Sequence, residues 1–135
     1  MTSSEFSRRT VFALGGLGTA VALAGCAAQA PAATTTGGQE ILATLADIPV
    51  GGSVSATLAG TAILISQPTK GTVVAFNAVC PHQGCRVMPQ KTDLECPCHQ
   101  SRFDSTTGAL IDGPSPRGLD PVAVEVSGDY VIPTA

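Results

Sequence analysis

The chain has 135 residues, of which 44% are hydrophobic, 4% aromatic and 13% charged, and its formal net charge is −3. That length supports one small domain, and the low charge excludes a disordered chain, which would be polar and strongly charged. No lysine or arginine block exists, which excludes an electrostatic nucleic-acid binder; no apolar run reaches the roughly 18–20 residues of a membrane span, which excludes a multi-span membrane protein.

Residues 1–25 read as an address rather than as fold. Ser7-Arg8-Arg9-Thr10-Val11-Phe12 is followed by a weakly hydrophobic run to Ala24, diluted by Gly15, Gly16 and Gly18. This stretch resembles the twin-arginine export signal. Leu23-Ala24-Gly25-Cys26 resembles the bacterial lipobox, in which the signal is cut before the cysteine and the thiol receives a diacylglycerol. Cys26 is otherwise a small core cysteine or a free thiol, but its place directly after the apolar run favours lipidation. Two acyl chains would hold the protein at a membrane surface, each buried methylene contributing about 0.8 kcal/mol. Residues 26–39 are mostly small residues with Pro and Gly, and they are expected to form a flexible tether.

The folded domain is expected over residues 40–135. Ile41–Leu45 is a candidate strand, and Ile48-Pro49-Val50-Gly51-Gly52 a turn. Ser53–Leu58 alternates polar and apolar residues with the period of a half-buried strand. Ala59-Gly60 then turns the chain into Thr61–Ile65, and Pro68–Gly71 turns it into Thr72–Phe76. Val122–Val126 and Tyr130–Ile132 flank Ser127-Gly128-Asp129, a hairpin signal. No helical periodicity follows the signal region. The fold class is therefore all-β, an antiparallel sandwich or partly open barrel. A domain this small gains from a cross-link or a bound metal.

Both histidines and four of the five cysteines lie in two short segments, Cys80-Pro81-His82-Gln83-Gly84-Cys85 and Cys96-Pro97-Cys98-His99-Gln100-Ser101. Each segment offers one imidazole and two thiols. Two disulfides would use the cysteines but leave both histidines without a role. A zinc site of Cys80, His82, Cys96 and His99 is chemically acceptable, yet it would leave two thiols idle, and its Cys-x-His spacing is unlike ordinary zinc knuckles.

A third reading uses every group. The two segments resemble the motifs of the Rieske iron–sulfur family, Cys-x-His-x-Gly-Cys and Cys-x-Cys-His-x-Ser, at each defining position. The resemblance implies one [2Fe–2S] cluster per chain, with Cys80 and Cys96 on the inner iron and His82 and His99 on the outer one. It implies a Rieske-type antiparallel β-sandwich carrying a cluster-binding subdomain of two loops. In the cytochrome bc-type and arsenite-oxidase-like branch, the positions of Cys85 and Cys98 form a disulfide between the loops. Replacing two thiolates by neutral imidazoles makes the centre less negative, so adding an electron is easier and the potential rises. The added negative charge beside the imidazoles is expected to bring proton uptake with electron uptake.

The resemblance extends to the surroundings of the cluster. Ser101 matches a hydroxyl that hydrogen-bonds a bridging sulfide, unless it is an ordinary loop serine. Phe103 stands where bc-type members often have a tyrosine that donates to a ligand sulfur. Gln100 replaces the usual glycine. Gly113-Pro114-Ser115-Pro116-Arg117-Gly118-Leu119 is similar to the proline-rich loop covering the cluster, where Pro114 would stiffen a wall that removes backbone donors, unless it is a plain turn. Gly84 suits a close backbone turn beside the metal.

The implied function is one-electron transfer at the extracytoplasmic face of the bacterial cytoplasmic membrane, by a lipid-anchored carrier rather than a stand-alone catalyst. The expected partner is a redox protein, such as a cytochrome or an oxidoreductase, or a quinol; nucleic acid is not expected. Two alternatives remain at this point. One is a Rieske subunit of a larger oxidoreductase, quinol–cytochrome c reductase-like or arsenite oxidase-like. The other is a structural zinc-binding lipoprotein.

Overall fold

A computed structural model of the chain describes residues 34–36 and 38–134. The export signal over 1–25, Cys26 and most of the tether lie outside the described residues. The strands in chain order are β1 (Thr34–Thr36), β2 (Gln39–Ile41), β3 (Ala43–Thr44), β4 (Ser53–Leu58), β5 (Thr61–Thr69) and β6 (Thr72–Asn77). They continue with β7 (Met88–Pro89), β8 (Asp93–Cys96), β9 (Ser101–Asp104), β10 (Leu110–Asp112), β11 (Pro121–Val122), β12 (Val124–Ser127) and β13 (Tyr130–Pro133). Leu45–Asp47 forms a single 3-10 turn, and no α-helix occurs among the described residues.

The strands pair antiparallel throughout. One sheet runs β11-β6-β5-β4, a second β12-β13-β3 and a third β10-β9-β8-β7. The first two are the layers of a sandwich. The third is an insertion: the chain leaves β6, builds β7 to β10, and returns as β11 directly beside β6, with Pro121 opposite Phe76 and Val122 opposite Ala75.

Strand β5 explains how the three sheets hold together. Its residues Ile63 to Gln67 are all buried, because both faces of the strand are covered. Successive side chains point to opposite faces. Ile63 and Ile65 therefore join Leu42, Ile48, Ala75 and Val131 in the core of the sandwich. Leu64 points the other way, with Phe76, Ala78, Val87, Leu94, Phe103 and Leu119, into a second core under the insertion. Cys80 and Cys96 are part of that second core.

Five details depart from the pattern expected from sequence, one being the expected strand Val122–Val126, which is split at Ala123 into β11 and β12 of different sheets. Thr34–Thr36, in the expected tether, form a hairpin with β2, which itself begins at the tether's last residue, Gln39, and the turn is at Gly38. Consecutive threonines favour the extended backbone, so strand pairing begins earlier than composition indicates. The expected strand Ile41–Leu45 is broken: β2 ends at Ile41, β3 covers Ala43–Thr44, and Leu45 opens the 3-10 turn. Pro68 does not end its strand. It sits where the β5–β6 register shifts between Ser66 and Thr69, a place where no ladder donor is needed. There the buried Gln67 side chain donates to the carbonyls of Leu45 and Ile48 and accepts from the Gly71 amide at 2.9 Å. Finally, the two loops are tips of a four-stranded sheet, whose strands of two to four residues are too short to show periodicity.

Candidate metal centre

The two cysteine–histidine segments fold by the same local rule. In the first, the Gly84 amide donates to the Cys80 carbonyl at 2.9 Å. In the second, the Gln100 amide donates to the Cys96 carbonyl at 2.9 Å. Each is a turn of five residues closed from the fifth amide to the first carbonyl, and each ends on a residue with positive φ: 77° at Gly84 and 60° at Gln100. A Val79–Arg86 bridge closes the base of the first turn, and the Cys96–Ser101 pair of the β8–β9 ladder closes the second. The Cys85–Cys98 disulfide, with Cα atoms 6.4 Å apart, ties the two tips together.

This frame sets the Cys80 and Cys96 thiols in contact and brings the two imidazoles together. Cys80 and Cys96 are free thiols, each only 1% exposed. Burial pushes the Cys80 thiol above its ordinary range, the amides of His82 and Gln83 aimed at its sulfur pull it down, and contact with the Cys96 thiol raises it again. His82 and His99 meet edge to face, with ring centroids 4.7 Å apart and planes at 86°. His82 is half-buried and His99 exposed. The sulfurs of Cys85, Cys96 and Cys98 also lie within 4.8 Å of one another, but the disulfide leaves Cys96 as the only thiol of that group.

These residues fit a [2Fe–2S] cluster. The His82 Nδ1 atom is buried and has no hydrogen-bond partner among the described residues. Such an atom is costly to leave unmatched and is suited to a metal bond. Amides aimed at the Cys80 sulfur suit a thiolate, whose negative charge they stabilise. Two sulfurs and two nitrogens on facing tips are a mixed donor set of the kind that replaces two cysteines by two histidines on one iron.

The surroundings are built from β9 and the segment after β10. Ser101 opens β9 and is fully buried; Phe103, two residues on, is fully buried in the core that holds Cys80 and Cys96. The loop from Gly113 lies against Ser101. At Gly113, with φ of 105°, a Cβ would come 2.5 Å from the Ser101 Cα, so no side chain fits. Pro114 and Pro116 are exposed, whereas Ser115 between them is buried, and its amide donates to Ser101 Oγ at 3.1 Å.

The structure thus places Cys80, His82, Gly84, Cys85, Cys96, Cys98, His99 and Ser101 around the facing tips, with Phe103 beneath them and Pro114 on the adjoining loop. Cys26 lies outside the described residues. Sequence reasoning gave no role to Ser115, whose one signal is a polar residue set between two prolines. It also noted Gln100 only as a substitution and missed the left-handed backbone that the closing position of the turn requires.

Residues 39–125 match the family model of the Rieske [2Fe–2S] domain. Over 59 residues, 42% of this chain and 33% of the relative, the chain is 44% identical to the cytochrome b6-f complex iron-sulfur subunit of Synechococcus sp. (strain JA-2-3B'a(2-13)). The matched stretch spans about a third of that relative's length. The fold superposes with a TM-score of 0.62 and 30% identity on the cyanobacterial plasma membrane Rieske protein PetC3 from Synechocystis PCC 6803, covering 70% of this chain and 98% of that one. A Sphingomonas yanoikuyae B1 ferredoxin shares the fold at a TM-score of 0.59 and 22% identity, over 72% of this chain and 98% of that one. The facing tips and these likenesses agree, and the chain belongs to the Rieske [2Fe–2S] family, an electron-transfer protein built around that cluster.

Proposed function

We propose that Cys80 and Cys96 hold the inner iron, that His82 and His99 hold the outer iron, and that the chain is a one-electron carrier at the extracytoplasmic membrane surface. When bound, the cluster supplies reversible uptake of a single electron. The chain's own residues set the conditions. The buried thiols exclude water from the inner side, while the two imidazoles form the edge nearest to solvent and to a partner. His99 is the more exposed ring and would be the side on which a partner meets the centre. The observation that carries this reading is the buried, unpartnered His82 Nδ1 on a tip that faces two buried thiols.

The sequence over residues 1–25 supports export by the twin-arginine route, which moves folded proteins and so permits cluster insertion before export. Lipidation of Cys26 would then anchor the domain, with residues 26–39 as its tether and the Rieske domain over 40–135. The Cys85–Cys98 bridge suits an oxidising compartment. Mass spectrometry of membrane-purified protein tests the anchor: a diacylglyceryl adduct beginning at Cys26 is expected, and an unmodified Cys26 would overturn it. Iron and acid-labile sulfide analysis of protein matured in its own host tests the centre, with two of each per chain expected; zinc without iron would overturn it.

A second reading, a subunit of a larger oxidoreductase, is favoured by the relative whose name places it in the cytochrome b6-f complex. Purification in mild detergent separates the two. An obligate subunit arrives with stoichiometric partners, whereas a carrier that meets a cytochrome, an oxidoreductase or a quinol in passing arrives alone.

A further inference from the structure

Ser101 is completely buried, and its oxygen accepts a hydrogen bond from the Ser115 amide at 3.1 Å. A hydroxyl has one proton and two lone pairs, so this bond uses a lone pair and leaves the proton to be placed elsewhere. Among the described residues no acceptor takes it. A buried hydroxyl proton without an acceptor is destabilising, unless a group held between the tips receives it.

Ser115 is well suited to fix that oxygen. It is 5% exposed, and it carries the one amide donor between Pro114 and Pro116, neither of which has an N–H. Its own hydroxyl donates to the Arg117 carbonyl at 2.8 Å, which ties the loop to itself. The Leu119 amide donates to the Gly108 carbonyl at 2.8 Å, and the Asp120 carbonyl accepts from the Asn77 amide at 2.8 Å; these bonds anchor the far end of the loop. At the near end, Gly113 lets the backbone lie against Ser101 and the Gln100 carbonyl. The loop is therefore held at both ends and aimed, through one amide, at one hydroxyl.

We propose that Ser115 is a positioning residue for the reduction potential: its amide locks the Ser101 oxygen so that the hydroxyl proton is presented to a sulfide of the cluster. This rests on the cluster assignment made above and on Ser101 as its hydrogen-bond donor. A proton donated to a sulfide stabilises the extra negative charge of the reduced state. Loosening the oxygen weakens that bond and lowers the potential, although no atom of Ser115 need touch the cluster.

The test compares midpoint potentials of the cluster-loaded full chain by voltammetry, for wild type, Ser101→Ala, Ser115→Pro, Ser115→Thr and the Ser101→Ala/Ser115→Pro double variant. Ser115→Pro deletes the donor and is expected to lose half or more of the shift that Ser101→Ala causes. Ser115→Thr keeps amide and hydroxyl and should retain the wild-type value. In the double variant the shifts should not add, because both changes remove the same bond. If Ser101→Ala lowers the potential and Ser115→Pro leaves it unchanged, the positioning role is overturned while the cluster reading stands. If Ser101→Ala itself changes nothing, Ser101 is not the donor and the proposal falls with that premise. Amide hydrogen exchange decides the matter even if Ser115→Pro fails to take up the cluster. In Ser101→Ala the Ser115 amide loses its acceptor and should exchange about fivefold faster, the scale of one net hydrogen bond; an unchanged rate would overturn the lock.

Discussion

Gln100 holds the left-handed backbone that closes the second turn, beside His99. An L side chain there costs about 1–2 kcal/mol, and the equivalent place in the first turn is Gly84. Gln100→Gly removes that strain but adds freedom to the unfolded chain, an offset of about 0.5–1 kcal/mol. It is expected to raise stability by up to about 1 kcal/mol, read as a higher denaturation midpoint of the assembled protein. A lower midpoint would show that the glutamine side chain makes a contact worth more than the strain. Phe103→Tyr, by contrast, adds a donor beneath the tips. It should raise the potential by tens of mV, and unchanged voltammetry would show that the ring does not reach a ligand sulfur. The grouping of both histidines with four cysteines was legible in the sequence, while the assignment of Cys80, His82, Cys96 and His99 as donors rests on the family resemblance. The backbone state of Gln100 had one signal, the glycine usual at that position, but the residue type itself hides it, because the state follows from a hydrogen bond to Cys96 that only the folded turn makes. Ser115 was hidden for a similar reason, since its burial depends on the loop folding back over β9.

At the scale of elements, the base strands were legible and the inserted sheet was not. Ser53–Leu58 alternates over six residues and is the strand β4 with those same bounds. Strands β7 to β10 have two to four residues each, carry Cys, Asp, Glu and Arg, and owe their pairing to neighbours rather than to propensity. Their stability therefore rests on few apolar anchors. Leu94, fully buried in the middle of β8, is one of them. Leu94→Ala is expected to cost about 2–5 kcal/mol and to open the second tip, observed as a lower midpoint with loss of visible absorbance. The disulfide adds a covalent anchor. It joins residues 13 apart in sequence, and a closed loop of that order contributes about 3 kcal/mol. Cys85→Ser/Cys98→Ser should lose an amount of this size and release cluster at lower temperature than wild type. Equal thermal release would show that the tips stay together without the bridge.

For the whole molecule, the arrangement is two cores sharing one strand. Ile63 and Ile65 of β5 serve the sandwich, and Leu64 serves the core that holds both thiols. The two buried thiols are therefore continuous with the packing of the base. At the end of β9, within the insertion, Asp104 accepts from the Thr107 amide at 2.7 Å, from the Thr107 hydroxyl at 2.9 Å and from the Thr106 amide at 2.9 Å, and these bonds hold its carboxyl below its usual range. The unfolded chain then binds this proton more readily than the folded one. The carboxylate contributes stability above its unfolded value near pH 4, and that contribution is lost as pH falls through the lower folded value. Wild type should accordingly melt above Asp104→Asn at neutral pH, with the gap closing as the pH drops below about 4. A gap independent of pH would show that the charge of Asp104 has no part in it.

The central claim is the division of donors, sulfur on one iron and nitrogen on the other. Pulsed EPR of the dithionite-reduced full chain tests it most directly. Two strongly coupled nitrogens are expected, one of them lost in His82→Cys and the other in His99→Cys; a reduced cluster with no nitrogen coupling would contradict it.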